Sequence, residues 1–541
     1  MSQFQSLISP NSSRFVEQRE DMLALIARLR TLEERTREAS RARNATFEKR
    51  GQLPPRERLA HLLDPGLPFL RLHTLANYLW EDESPETSLP GGSLIAGIGF
   101  ISGVRCMVVA DDSGIRAGAM TMGGLEAMLS ALDIAQRQRL PFVHLVESAG
   151  ANLLGYKVEL WARGGTVFRR LAELSAAGIP TLAVLHGPST AGGAYMPGMS
   201  DYVIGVRKNG MAALAGAALV RAATGETANE RELGGSEMHA STSGLVEYLA
   251  DDDAHAMVLC REVMGKLDWN RHSSPARRTY GDASPRYSPD ELAGVVPVDY
   301  KIPYDVREVL VRIVDRSELV EHKPLYGATT VCAKANITGI PVGIVGNNGP
   351  IDPDGATKVA QFVQLCDQAQ TPLIYLNNTT GYMVGTRYEQ AGMIKHGAKM
   401  IQAVSNVRVP RIALYIGASY GAGNYGMSGF GYRPDFLFAW PNASTGVMGG
   451  EQAALAMSEV ARAIAARKGQ EAPEAALEAQ RKQIVAHFQK QENAFYTSGR
   501  VLDHGVIDPR DTRQVLAMAL ETCLEARSRT LQPNAFGVGR M

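Results

Sequence analysis

Apolar positions along this chain switch between two periods, and the switching lays out its elements. Over residues 15 to 48, Met22, Leu25, Ile26, Leu29 and Leu32 recur near three-to-four spacing among many charges, which predicts an amphipathic helix covering a larger body. Pro54 and Pro55 close that stretch. From Gly91 onward, short β-rich runs such as Cys106 to Ala110 and Phe142 to Val146 alternate with helical runs such as Leu125 to Arg137. That alternation predicts an α/β layered domain. A second cycle begins near Tyr326, and Trp269 to Tyr304 between the cycles, rich in Ser, Pro, Arg and Asp, reads as a linker. The expected organisation is an N-terminal helical segment over 1–60, a first α/β domain over 61–275 and a second over 276–541.

Two stretches recur in the same order. ISGVRCMVVADDSG from Ile101 to Gly114 lies over ITGIPVGIVGNNGP from Ile337 to Pro350 without a gap. PTLAVLHGPSTAGGAY from Pro180 to Tyr195 lies over PRIALYIGASYGAGNY from Pro410 to Tyr425. Either match alone could arise wherever an apolar strand meets a glycine turn. Two matches in one order imply two copies of one fold.

In each copy an apolar strand, Leu182 to Leu185 or Ile412 to Ile416, enters a loop of small residues and then a helix start. Small residues let a ligand oxygen approach the main chain, and a helix start offers unpaired N–H groups and the positive end of a dipole. Gly192 and Gly193 occupy this position in the first copy, Ala422 and Gly423 in the second. Paired donors suit an oxygen on which charge develops, where losing one donor raises a barrier by ~3 kcal/mol. Tight strand-to-helix packing without a ligand would use the same residues. The chain has no GxSxG, HExxH, Walker A or Rossmann GxGxxG motif, and the glycine-rich stretch 417–426 lacks the lysine of a phosphate loop. Chemistry by positioned backbone dipoles, with or without a bound cofactor, is what elimination leaves.

Composition narrows the field further. Lys plus Arg number 56 and Asp plus Glu number 56, so no net field draws the chain to nucleic acid or an anionic membrane. Five cysteines, at 106, 260, 332, 366 and 523, stand singly in mostly apolar surroundings and read as reduced core residues rather than zinc ligands or disulfides. The first thirty residues carry Glu17, Glu20 and Asp21 and no apolar h-region, so a cytoplasmic location is expected. His396 reads as a structural histidine, and the acidic run Asp251 to Asp253 as a solvated surface or helix cap. No metal site is expected.

The chain resembles the β, or carboxyltransferase, subunits of biotin-dependent acyl-CoA carboxylases, in the methylcrotonyl-CoA and geranyl-CoA branch. The resemblance rests on LPPRERL (Leu53–Leu59), LLDPG (Leu62–Gly66), STAGGAY (Ser189–Tyr195), AATGE (Ala222–Glu226) and ELGG (Glu232–Gly235). In the second half it rests on KHGAK (Lys395–Lys399), GNYGM (Gly423–Met427), MGGEQA (Met448–Ala453) and AFGVGRM (Ala535–Met541). It implies an α/β fold of two tandem crotonase-like (ClpP/crotonase) carboxyltransferase domains behind the helical segment. It also implies that acyl-CoA is held by the first domain and carboxybiotin by the second. Biotin would be carried on a partner, the biotin carboxylase/biotin carrier α subunit, around a hexameric core of this chain (α6β6). Carboxybiotin would release carbon dioxide, the biotin anion would take a γ proton from a 3-methyl-enoyl-CoA, and the dienolate would attack the carbon dioxide. Gly192 and Gly193 are then expected to hold the thioester enolate oxygen, and Ala422 and Gly423 the ureido oxygen of biotin.

Within that branch, methylcrotonyl enzymes carry phenylalanine where this chain has Gly164, in the run Arg163 to Phe168. The lost side-chain volume at Gly164, beside Gly165, points to a longer acyl chain such as geranyl-CoA. A turn or a close helix contact at these glycines is the competing explanation. The segment Arg116 to Gly124 lacks the lysine-bearing stretch of methylcrotonyl enzymes, which leaves CoA phosphate contacts there open. Asn152, where propionyl-type enzymes usually have Arg, argues against propionyl-CoA. A crotonase-fold hydratase, isomerase or decarboxylase could use the same donors, although the duplicated pair favours two ligands and group transfer.

Overall fold

The computed structural model describes residues 4–150, 157–273, 283–472 and 474–538. The chain forms two compact units. One comprises Arg30–Pro275, Gly499–Val501 and Glu521–Met541; the other comprises Met1–Leu29, Ala276–Ser498 and Leu502–Leu520. The boundary expected between 275 and 276 lies outside the described residues, as do Asn152 and the last three residues.

At the N-terminus, α1 (Ser13–Arg41) is followed by a short α2 (Asn44–Arg50), so the helical pattern over 15 to 48 covers two helices. Gly51, at φ 65°, ends the second. The prolines do not only close this stretch: Pro55 opens α3 (Pro55–Leu62), where its missing N–H is one of the helix's orphan donors anyway.

The first unit is built on a sheet of β1 (Leu70–Leu72), β2 (Leu94–Ile101), β3 (Val104–Asp111), β4 (Phe142–Ser148), β5 (Thr181–Thr190), β6 (Tyr202–Val206), β7 (Met211–Ala213) and β8 (Tyr248–Ala250). Their order is β1-β2-β3-β4-β5-β6-β8, with β7 beside β5. Every residue of β3 is buried, as expected of near-continuous apolar strands covered on both faces. Helix α4 (Met122–Arg137) starts where Thr121 accepts from the Gly124 N–H, and α5 (Val158–Ala176) packs beside it.

The second unit repeats the plan with β9 (Leu319–Glu321), β10 (Thr330–Ile337), β11 (Ile340–Asn347), β12 (Leu373–Thr379), β13 (Arg411–Tyr420), β14 (Phe436–Ala439) and β15 (Ser444–Gly446). Their order is β14-β13-β12-β11-β10-β9, with β15 beside β13. The repetition extends to register. Hairpins β2–β3 and β10–β11 close on two-residue turns, Ser102-Gly103 and Thr338-Gly339, whose residues all have positive φ, the geometry that matches strand twist. The β4–β5 ladder shifts between Val146 and Ser148, and the β12–β13 ladder shifts between Asn377 and Thr379. Past those shifts β5 pairs with β7 and β13 with β15, so the end of each central strand is aimed away from the main ladder.

Part of the expected linker is packed. Leu292, Ala293, Val295 and Val296 are buried, and the Arg529 guanidinium lies 4.5 Å from the centre of the Trp269 ring. The short apolar run was masked by its polar flanks.

Candidate active site

Strand β5 leads through Ser189 and Thr190 into a 3-10 turn, Ala191–Ala194, and then α6 (Tyr195–Met199). Strand β13 leads directly into a helix over Gly421–Gly426. The chain reverses at matching positions, Ala191 at φ 53° and Gly421 at φ 56°. Gly192 and Gly193 are then the second and third residues of one turn, and Ala422 and Gly423 of the other. The first N–H groups of any helix lack partners inside it, so both pairs are main-chain donors. Both helices are only one or two turns long. Directed N–H groups, more than a macrodipole, are what they offer.

Sterics separate the two members of each pair. A Cβ on Gly193 would come within 2.8 Å of Ser189 Oγ, and one on Gly423 within 2.8 Å of Gly381 Cα. A Cβ on Gly192 would meet nothing closer than Phe168 Cζ at 3.7 Å, an ordinary contact, and the second unit carries alanine at the matching Ala422. Gly192 and Ala422 are exposed, while Gly423 is buried.

The first loop opens on a cavity of about 1040 Å³, at the upper end of the roughly 300–1,000 Å³ of ordinary ligand sites. Met120, Leu125, Val146, Leu160, Val167, Phe168 and Met196 give it a mainly apolar wall. Gly164, Gly165, Gly192 and Gly193 line it together. Gly164 and Gly165 lie in the interior of α5, and a Cβ on either would meet nothing within 4 Å. Neither a turn nor a close contact accounts for them. Each costs the helix roughly 1 kcal/mol relative to alanine, and their effect is to lower one wall of the cavity.

A buried polar cluster beneath the loop strands was not foreseen. Arg58 on α3 donates through Nη1 to Glu147 Oε2 at 2.7 Å and through Nε to Asp253 Oδ2 at 3.1 Å. His186 Nδ1 lies 2.7 Å from Asp253 Oδ1. Burial, then the Arg58 charge, holds the His186 pKa below its ordinary value. Burial pushes the Asp253 carboxyl up, but the His186 hydrogen bond and nearby positive charge leave it lower overall. None of these four residues lines the cavity; the cluster pins β4 and β5 just before Ser148 and Ser189. Asp252 does cap a helix, accepting from the His255 N–H at 2.8 Å, but Asp253 belongs to the interior. His396 Nδ1 lies 2.7 Å from Thr357 Oγ1.

The second loop is braced by hydroxyls and amides. Tyr420 Oη lies 2.6 Å from Ser444 Oγ and donates to Glu492 Oε2 at 3.1 Å. Asn424 Nδ2 donates to Ser419 Oγ at 2.8 Å. Arg116, in the segment without lysine, is paired with Glu81 at 3.0 Å. All five cysteines are buried and unpaired with one another. Among the described residues no group of three or more His, Cys, Asp or Glu could hold a metal ion, and no helix is long and apolar enough to cross a membrane.

Twin sheets whose central strands end in paired main-chain donors, one beside a large apolar cavity, suit an enzyme class that steadies oxyanions without a side-chain nucleophile. Residues 47–538 match the carboxyl transferase domain. The chain is 48% identical over 494 residues to a probable biotin-dependent acyl-coenzyme A carboxylase β2 subunit of Mycobacterium tuberculosis, covering 91% of each chain. It is 44% identical to the biotin-dependent 3-methylcrotonyl-coenzyme A carboxylase β1 subunit of the same organism, over 91% of this chain and 92% of that one. The crystal structure of the β subunit of Pseudomonas aeruginosa geranyl-CoA carboxylase is 47% identical, covers all of both chains and superposes with a TM-score of 0.92. The chain therefore belongs to the carboxyl transferase family, as a β-type subunit of the biotin-dependent acyl-CoA carboxylases with two crotonase-like domains.

Proposed function

We propose that this subunit transfers a carboxyl group from carboxybiotin to the γ carbon of a long 3-methyl-enoyl-CoA, with geranyl-CoA as the preferred substrate. The observation that carries the choice of substrate is the pair Gly164 and Gly165, two interior helix glycines that face open space in the wall of the cavity. The full-length likeness to a geranyl-CoA carboxylase β subunit supports it. Phenylalanine at position 164 would fill volume that additional isoprene carbons need.

The first domain, proposed over 61–275 behind the helical segment 1–60, binds the acyl chain in the cavity. Its main-chain donors, Gly192 and Gly193, take the thioester oxygen. Loss of the γ proton moves negative charge onto that oxygen, so the two N–H bonds strengthen along the reaction and lower its barrier. The second domain, proposed over 276–541, offers Ala422 and Gly423 to the ureido oxygen of biotin; neutral N–H donors and an exposed first position suit that acceptor. Bound carboxybiotin would supply the carbon dioxide and the base. It would arrive on a biotin carboxylase/biotin carrier α subunit, around a hexameric core of this chain in an α6β6 complex in the cytoplasm.

The identity with a 3-methylcrotonyl-coenzyme A carboxylase subunit favours methylcrotonyl-CoA as the second reading. Assay of the complex with its biotinylated partner separates the two. Geranyl-CoA is expected to give the higher kcat/KM, and Gly164→Phe is expected to reverse the order. A preference for methylcrotonyl-CoA in the unaltered complex would rule out the long-chain reading.

A further inference from the structure

We infer that the Ser189 hydroxyl is a third donor to the substrate's thioester oxygen, completing the set begun by Gly192 and Gly193; this rests on the function proposed above. Ser189 is fully buried, yet its Oγ has no hydrogen-bond partner among the described residues. It lines the acyl cavity, and it sits so close to Gly193 that a Cβ there would come within 2.8 Å of Oγ. A buried hydroxyl left without a partner is costly, and a ligand in the adjoining cavity would supply one.

The second unit provides an internal control. Ser419 occupies the matching place on β13, past the same ladder shift. There the hydroxyl donates to Asn377 Oδ1 at 3.0 Å and accepts from Asn424 Nδ2 at 2.8 Å. The first unit has Val146 where the second has Asn377, and Ala194 where it has Asn424. Both partners are gone, the serine remains, and Val146 joins it in the cavity wall. The neighbouring Ser148 hydroxyl is already committed, donating to Gly118 O at 2.7 Å. Ser189 thus stands beside the donor loop with its hydrogen uncommitted. Its proton stays on Oγ throughout: it forms no covalent bond, and its hydrogen bond strengthens as the thioester oxygen becomes an enolate.

The test uses the reconstituted complex with Ser189→Ala. Carboxylation kcat is expected to fall about ten- to a hundredfold, the upper end meeting the least that loss of one oxyanion donor costs, while KM for the acyl-CoA moves less than about threefold. The variant should melt at the wild-type temperature or above, because removing an unpartnered buried hydroxyl relieves a cost, whereas Ser419→Ala should melt lower. Carboxybiotin discharge without acyl-CoA should be unchanged. A kcat within about twofold of wild type overturns the inference, as does a kcat loss accompanied by a lower melting temperature. Gly192→Pro, which deletes a main-chain donor, keeps the two levels apart. If it abolishes carboxylation while Ser189→Ala is silent, only the serine's role fails; if the folded proline variant is fully active, the function of the loop fails with it.

Discussion

At the scale of single residues, neighbouring glycines do different work. Gly193 and Gly423 are glycine because something else already fills their Cβ positions, whereas Gly164 has space to spare. Gly164→Ala is therefore expected to raise helix stability by up to ~1 kcal/mol, read as a higher melting temperature, while leaving substrate preference less altered than Gly164→Phe does. Asp503 shows the opposite economy. Burial lifts its carboxyl from an ordinary value of 3.8 to about 7, even though Ser498 donates to it at 2.8 Å. Between those values the fold holds a proton that the unfolded chain has lost, so this group withdraws stability as pH rises through that window. Asp503→Asn is neutral at every pH. It should melt above wild type at pH 8, with the difference shrinking as pH falls towards 4, in melting curves taken across that range.

Elements explain which parts of the site were legible. The donor loops could be read because the strand, the small residues and the turn are contiguous in each copy, and the two copies align without gaps within each match. Gly164 could be placed because it lies in one unbroken run with Gly178-Ile-Pro180. The cluster of Arg58, Glu147, His186 and Asp253 could not, since its partners come from separate elements and periodicity carries no information about such pairing. In the sequence, Arg58 was one letter of a family motif and Asp253 the end of an acidic run. Together they tie α3, β4, β5 and the helix Asp253–Lys266. Breaking a buried pair leaves its partners uncompensated. Arg58→Met is expected to destabilise the first unit by about 3–5 kcal/mol, measured by denaturant or thermal unfolding, because Glu147 and Asp253 then lose their shared cation. The packed part of the linker is illegible for a related reason: a short buried run such as Leu292 to Val296 is too brief to show a period between polar flanks.

At the scale of the whole molecule, duplication supplied two copies of one device, and divergence gave them different partners. The hairpin turns, the ladder shifts and the reversed residue before each donor pair are retained in both units. What changed is the surroundings: an apolar cavity with an uncommitted hydroxyl around the first pair, and amides and hydroxyls bonded among themselves around the second. That contrast suits one site for an acyl chain and another for a polar ureido ring.

The central claim is that peptide nitrogens, and no ionisable side chain, hold the oxygen that becomes negative. Crystallography of the assembled complex with bound acyl-CoA measures this directly. The thioester oxygen is predicted to lie about 2.7–3.1 Å from the nitrogens of Gly192 and Gly193. The same oxygen facing a lysine, an arginine or a metal ion, with those nitrogens turned to solvent, would contradict the account.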